Sequence, residues 1–419
     1  MPQRRWQWLV KQIFDLGGEV CVIAPNPQNI EASKNKAGFV RRLKLLFAPP
    51  QPEHRLGGEL VYRSSFVPAN HSLTSRVVNQ ASVAIGQSIS LLRLSKQGAL
   101  RDVGLVIGTV PALPTAGVAV LAARLAGAKL TIDLRDAWPD LLKFSDQWNK
   151  TVGKKSLRER IFSLGPRQLV VRLASAALTT ILENADGVMV TSSLLEKSIN
   201  ERFPKMQHRC VTVRNVFPTV SEASYLRSAK KEPTSLNILY AGTVGRAQNL
   251  INAVQAVMIL RRAGRDIHLH VVGEGAGVER LQKVAATCPD VITVSDRVPR
   301  DELHSLYEWA DTALVHLTDW GPLKMAVPSK IYELLELGIH ISAVAEGETA
   351  EIVERLDAGF VVPPESPELL AKEWEKLVFY SEMPNAVEKG RAWVMDVRER
   401  VAPQAFQKHL QSYEVAKWT

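Results

Sequence analysis

The spacing of apolar positions changes repeatedly along this chain, and each change marks an element. Over residues 4–16 apolar side chains recur at helical spacing, with Trp8, Ile13 and Leu16 among them, and Gly17-Gly18 closes the run. EVCVIAP then reads as a strand of β-branched residues stopped by prolines. Prolines and paired glycines over 48–66 predict a loop around a short strand at 59–63. Residues 73–96 predict a helix, VGLVIGT a buried strand, TAGVAVLAARLAGA a buried helix and KLTIDL the next strand. Continuous apolar strands alternating with helices predict an α/β fold with parallel sheets. SAALTTILENADGVMVTSSLLEKSINERF continues with helix, strand and helix, and CVTVRNV closes this half.

Two prolines and mixed polar residues over 217–234 predict a linker, after which the alternation resumes. SLNILYAGTVGRAQNLINAVQAV reads as strand, glycine turn and helix, DIHLHVVGEGAGVERLQKVA repeats the pattern, and VITVSDRVPRDELHSLYEWADTALVHL adds two strands around a helix. In KMAVPSKIYELLELGIHI, Pro328 fixes the backbone, Ser329 is placed to be the N-cap, and Ile331, Leu334, Leu335 and Leu337 follow at helical spacing before Gly338. A strand, a helix, a short strand and terminal helices complete the chain. The expected division is a domain over 1–216, a linker over 217–235, a second domain over 236–395 and a helical segment over 396–419.

Composition narrows the picture without naming a function. The 419 residues are 46% hydrophobic and 23% charged, as in a folded protein large enough for two cores. Cys21, Cys210 and Cys288 are far apart and show no metal-ligand spacing, which fits a reducing cytoplasm. No secretory signal is visible, and the most apolar window, 116–128, is short and holds Arg124, so a soluble or membrane-peripheral protein is expected. The net charge of +9 divides unevenly: residues 1–215 hold 30 Lys/Arg against 15 Asp/Glu and the remainder 22 against 28, leaving +15 and −6. No nucleic-acid-binding motif accompanies the basic half. RRLKLLF at 41–47 fits an anionic membrane surface, while a merely solvated basic face fits the charge equally well.

Candidate chemistry gathers at strand ends and one helix start. Ligands in open parallel sheets sit at the carboxyl ends of strands, where DLRDAWPD at 133–140 brings acids and Arg135 together; a capped loop with a local ion pair is the plainer alternative. The helix after Pro328 offers free backbone N–H groups and a positive dipole end, with Lys330 adding charge and Glu333 one turn on. That combination suits a diphosphate at the helix start and a ribose at the acid, although an ordinary helix start looks the same. Gly242, Gly245 and Arg246 at one turn and Gly273-Glu274-Gly275 at another supply weaker phosphate-site signals.

With LRDAWPD (134–140), LENADGVMVTSS (182–193), YAGTVGRAQNL (240–250), HVVGEGAGVERL (270–281) and VPSKIYELLELG (327–338) in this order, residues 4–389 resemble the family-4 glycosyltransferases of GT-B fold, in the branch that builds bacterial surface polysaccharides. The resemblance implies two Rossmann-like domains facing across a cleft, with C-terminal helices packing back toward the first. It implies that Glu333 binds ribose, that Pro328, Ser329, Lys330 and Ile331 cradle the diphosphate, and that Arg246 and Gly242 belong to the phosphate site. Gly273, Glu274 and Arg297 then fall at base and ribose contacts, and Arg135 and Asp136 at donor-sugar or acceptor contacts. The implied reaction is a retaining transfer, needing no metal and no bound cofactor, from a nucleotide sugar of the UDP type to a lipid-linked or polysaccharide acceptor. The implied location is the cytoplasm or the inner membrane face.

The chain departs from that pattern in places. Met325 stands where many members carry a sugar-binding Glu, Gln248 near a phosphate-binding lysine, and Arg135 in place of a histidine. The chain also enters one helix late, without the usual opening strand and glycine-rich loop. An upstream start is the expectation, because an open sheet without that strand exposes both neighbours. A nucleotide-sugar epimerase of the same architecture and a catalytically degenerate subunit are the alternative readings.

Overall fold

The computed structural model describes residues 4–27, 51–54, 57–67, 73–110, 114–146, 166–216, 235–379 and 387–413. RRLKLLF and all but the last residue of the expected linker lie outside the described residues.

The first half opens with helix α1 (Arg4–Asp15) and strand β1 (Cys21–Pro25). Strand β2 (Gln51–His54), inside the predicted loop, pairs antiparallel with β3 (Leu60–Ser64), which is parallel to β1. Strands β4 (Leu105–Val110), β5 (Lys129–Leu134), β6 (Gly187–Val190) and β7 (Cys210–Thr212) form a second, wholly parallel sheet in that order. Helices α2 (Leu73–Lys96), α3 (Pro114–Ala126), α4 (Pro166–Asn184) and α5 (Ser193–Arg202) make the crossovers. β1 and β4, next to one another in no sheet, each pair on one side only among the described residues. Both are only partly buried, whereas β6 is buried throughout. Shared helices still unite the two sheets. Ile23 and Tyr62 pack beside Leu91 and Leu94 of α2 and Leu121 of α3, and Leu105 and Ile107 join the cluster that holds Leu9 and Ile13 of α1.

The second half is one parallel sheet of order β10-β9-β8-β11-β12-β13, formed by Ser235–Ala241 (β8), Asp266–Val272 (β9), Ile292–Ser295 (β10), Thr312–His316 (β11), Ile341–Val344 (β12) and Gly359–Val362 (β13). Its helices are α6 (Ile251–Arg262), α7 (Val278–Ala285), α8 (Arg300–Trp309), α9 (Ser329–Leu337), α10 (Glu348–Arg355) and α11 (Pro367–Val378). The order reverses direction between β8 and β11, so a crevice opens at the carboxyl ends of the strands there.

The two halves are tied together in several places. After α12 (Val387–Asp396), a π turn at Val397–Val401 leads into α13 (Ala402–Gln411), which returns to the first half. There His409 Nε2 lies 3.2 Å from Thr131 Oγ1 of β5, and Gln407 donates to Gln12 of α1. Within the first half, Arg5, fully buried, donates to Asp133 Oδ1 (2.9 Å), Val213 O (2.7 Å) and Asn215 Oδ1 (2.9 Å), which firms the strand exit that the second half grips. Arg398 donates to Val216 O and, through both terminal nitrogens, to the Glu336 carboxylate at 2.6 Å each. Bidentate pairs of this kind fix orientation as well as distance.

Candidate active site

Helix α9 begins as the sequence pattern predicts, with one correction. The cap position belongs to Pro328, no side-chain hydrogen bond caps this end, and Ser329 is already the first helical residue. Proline cannot accept a hydrogen bond through its side chain, so the first-turn amides keep their positive dipole end uncompensated by a cap. Gly338 closes the helix in the left-handed conformation, φ +69°. Buried Ile331, Leu334 and Leu335 fix which face turns inward.

Glu333 lies on the partly exposed face, and its carboxylate is held at both oxygens. Lys330 Nζ donates to Oε2 at 2.8 Å, and Tyr307 Oη donates to Oε1 at 3.2 Å. Lys330 also donates to Tyr307 Oη at 2.9 Å, which closes a three-membered network. Lys330 is therefore folded back on the acid rather than extended from the helix start. Tyr307, one helix away, was not singled out in the sequence; its signal is tertiary.

The two glycine turns interlock at the neighbouring strand ends. Gly242 N donates to Val272 O (3.0 Å), Val244 N to Glu274 O (3.0 Å) and Gly277 N to Val244 O (2.9 Å). A Cβ on Gly273 would stand 1.8 Å from Gly242 O, so only glycine permits this approach. Gln248 Oε1 accepts from Gly245 N at 3.1 Å and closes the turn that carries the half-buried Arg246. Glu274 and Arg297 stand at the exposed rim, 3.6 Å apart. Gly242, Arg246, Gly273, Glu274, Arg297 and α9 thus share the carboxyl edge of one sheet.

In the opposite half, the acids of DLRDAWPD part company. Asp133 is buried under Arg5 and Asp140 pairs with Arg202, so both acids hold the fold through partners far away in sequence rather than through a local ion pair. Arg135 and Asp136 follow directly after β5. Asp136 keeps an accessible surface, yet protein surrounds it so closely that loss of water raises its carboxyl above the usual range; the neighbouring Arg135 charge pulls the other way. The peptide bond between Trp138 and Pro139 is cis.

The two halves meet beside this loop. Trp138, Leu141 and Phe144 pack in one apolar cluster with Leu317, Trp320 and Leu323, and Ser192 Oγ donates to Met325 O at 2.5 Å. Met325 is thus an interdomain contact through its backbone. Among the described residues no three His, Cys, Asp or Glu side chains are arranged to hold a metal ion.

Residues 223–391, the stretch that contains α9 and both glycine turns, match the family described as glycosyl transferases group 1. The chain carries a group 1 glycosyltransferase domain. A protein of Escherichia coli (strain K12) named for colanic acid biosynthesis, the glycosyl transferase WcaI, is 28% identical to this glycosyltransferase over 334 residues, 75% of each chain. Sucrose-phosphate synthase from Thermosynechococcus elongatus superimposes with a TM-score of 0.61 at 16% identity, covering 94% of this chain and 99% of its own. HepE from Anabaena, solved with UDP, gives 0.55 at 12% identity over 94% and 100%. At these identities the likeness concerns the fold, which is that of two Rossmann-like domains around a cleft.

Proposed function

We propose that this glycosyltransferase is a retaining enzyme that moves a sugar from a UDP-sugar to a lipid-linked or polysaccharide acceptor of the cell envelope. The observation that carries the reading is the α9 start: an uncapped helix end with a carboxylate one turn on, held in place by Lys330 and Tyr307. In this reading Pro328, Ser329, Lys330 and Ile331 receive the diphosphate, whose growing negative charge the helix end and Arg246 offset as the sugar–phosphate bond breaks. Glu333 binds ribose hydroxyls, with Glu274, Gly273 and Arg297 around the base. Asp136, its carboxyl raised by its surroundings, is suited to exchange a proton with the acceptor hydroxyl, and Arg135 orients the reacting groups. The relative named for colanic acid biosynthesis supports an envelope polysaccharide as the acceptor class.

The basic first half supports work at the inner membrane face, where polybasic attraction contributes about 1 kcal/mol per residue. Exposed Leu169, Val170 and Leu173 on α4, with Arg172 among them, add apolar contact, and no described helix is long and apolar enough to cross the bilayer. UDP titration by calorimetry tests the donor assignment. Wild type is expected to bind and Glu333→Gln to lose at least tenfold in affinity; equal binding by both removes Glu333 from the site. Incubating a UDP-sugar alone excludes an epimerase if no isomer forms.

A further inference from the structure

Glu348 begins helix α10 in the second domain, but its carboxylate is bound by the first. Its Oε1 accepts from Ser193 N at 2.9 Å and its Oε2 from Leu194 N at 2.7 Å, the opening amides of α5. Arg214 Nη2 stands 2.5 Å from Oε1 and also donates to Ser193 Oγ at 2.8 Å. The Glu348 side chain is 4% exposed. A full negative charge at this depth is tolerated because a helix N-terminus and a guanidinium surround it.

Capping alone does not account for this arrangement. Helix α5 already has its own cap, since Ser192 Oγ accepts from Leu195 N at 3.3 Å. What Glu348 adds is a bond between domains at a point tied to the candidate donor site. Gly347 before it has φ +70°, and a Cβ there would stand 2.1 Å from Lys324 O, so the backbone is packed on the segment that leads into α9. Thr349 Oγ1, just after it, donates to Ala326 O at 2.7 Å. At the other end, Arg214 lies on the strand exit that Arg5 and Arg398 grip at Val213, Asn215 and Val216. Arg214 also lies 5.6 Å over the Trp393 ring, and Trp393 stacks on Tyr332 of α9. Because Gly347 and Thr349 tie α10 to the segment that leads into α9, any opening between α5 and α10 parts the start of α9 from the first domain.

We propose that Glu348 is an interdomain latch, a positioning residue that holds the start of α9 opposite the Arg135–Asp136 loop. It acts through Arg214 and the α5 amides and touches no substrate. The consequence for UDP binding rests on the donor site proposed above; the consequence for domain arrangement does not.

The test uses the full chain with Cys21 replaced and fluorophores placed at exposed Val78 and Leu369, one in each domain. Interdomain distance is read by energy transfer in wild type, Glu348→Ala and the near-isosteric Glu348→Gln, and UDP affinity is measured alongside. Glu348→Ala is expected to add a longer-distance population and to weaken UDP binding at least tenfold, with Glu348→Gln intermediate. A variant that folds, keeps the wild-type distance and binds UDP within twofold of wild type overturns the latch. Should Glu348→Ala fail to fold, the Glu348→Gln distance decides by the same criterion. Opening in a protein whose wild type binds no UDP upholds the latch and overturns the donor assignment instead.

Discussion

Acidification should loosen the C-terminal helix from the first domain, and His409 sets the pH at which it does so. Its imidazole is buried between Thr131 and Tyr413, with Nε2 3.2 Å from one hydroxyl and 3.0 Å from the other. Burial lowers its pKa from 6.5 to about 4. As pH falls below 6.5 the unfolded chain takes up this proton before the native protein does, so acid favours unfolding, and the stability present at neutral pH is lost from there down through about 4. At about 1.4 kcal/mol per pKa unit, the full loss is about 3 kcal/mol. Urea unfolding followed by circular dichroism, repeated between about pH 7 and about pH 4.5, measures it. His409→Gln keeps hydrogen-bonding groups without a titrating proton and should flatten the profile by about one proton. His316, buried in the second domain and lowered to about 3, contributes separately and cancels when the two profiles are subtracted. Equal acid sensitivity in wild type and His409→Gln would refute the argument.

Three further substitutions probe other parts of the reasoning. Asp136→Asn should raise the thermal midpoint at neutral pH while abolishing transfer: a carboxyl whose native pKa is raised costs stability above its unfolded value of 3.8, and calorimetry against pH should show that cost disappear. Gly273→Ala should cost about 1–3 kcal/mol or more, because the new methyl meets the Gly242 carbonyl, and UDP binding measured alongside should fall. Arg5→Ala should cost about 3–5 kcal/mol in denaturant unfolding by leaving Asp133 buried and uncompensated, whereas the double change Arg5→Met with Asp133→Leu should recover most of that loss.

Local chemistry made α9 legible in the sequence. Pro328, the apolar spacing from Ile331 to Leu337 and Gly338 all act within one helix, and the structure keeps each in its expected place. The failures share a different origin. Ser329 was expected to cap the helix because serine commonly does, but the ring of Pro328 takes the position just before the first turn. The network around Glu333 depends on Tyr307, 26 residues away, and the role of Asp133 on Arg5, 128 residues away. Glu348 carries no signal of its role, since nothing near it in sequence reveals that its partners belong to α5. Alternating strands and helices announced parallel sheets correctly, yet that alternation carries no information about whether β1 and β4 share one sheet, and here they do not.

The return of α13 to the first domain also bears on how the protein is made. Gln12 and Gln407 share a hydrogen bond across 395 positions of sequence, and Thr131 finds His409 across 278. Domains ordinarily fold in turn as they leave the ribosome. This first domain cannot do so completely, because the helix that covers Gly187 and the Thr131 hydroxyl is synthesised only after the whole second sheet. Until it arrives, that face stays open to chaperones and proteases, and a chain stalled before Ala402 would carry a well-formed second sheet beside an unfinished first one.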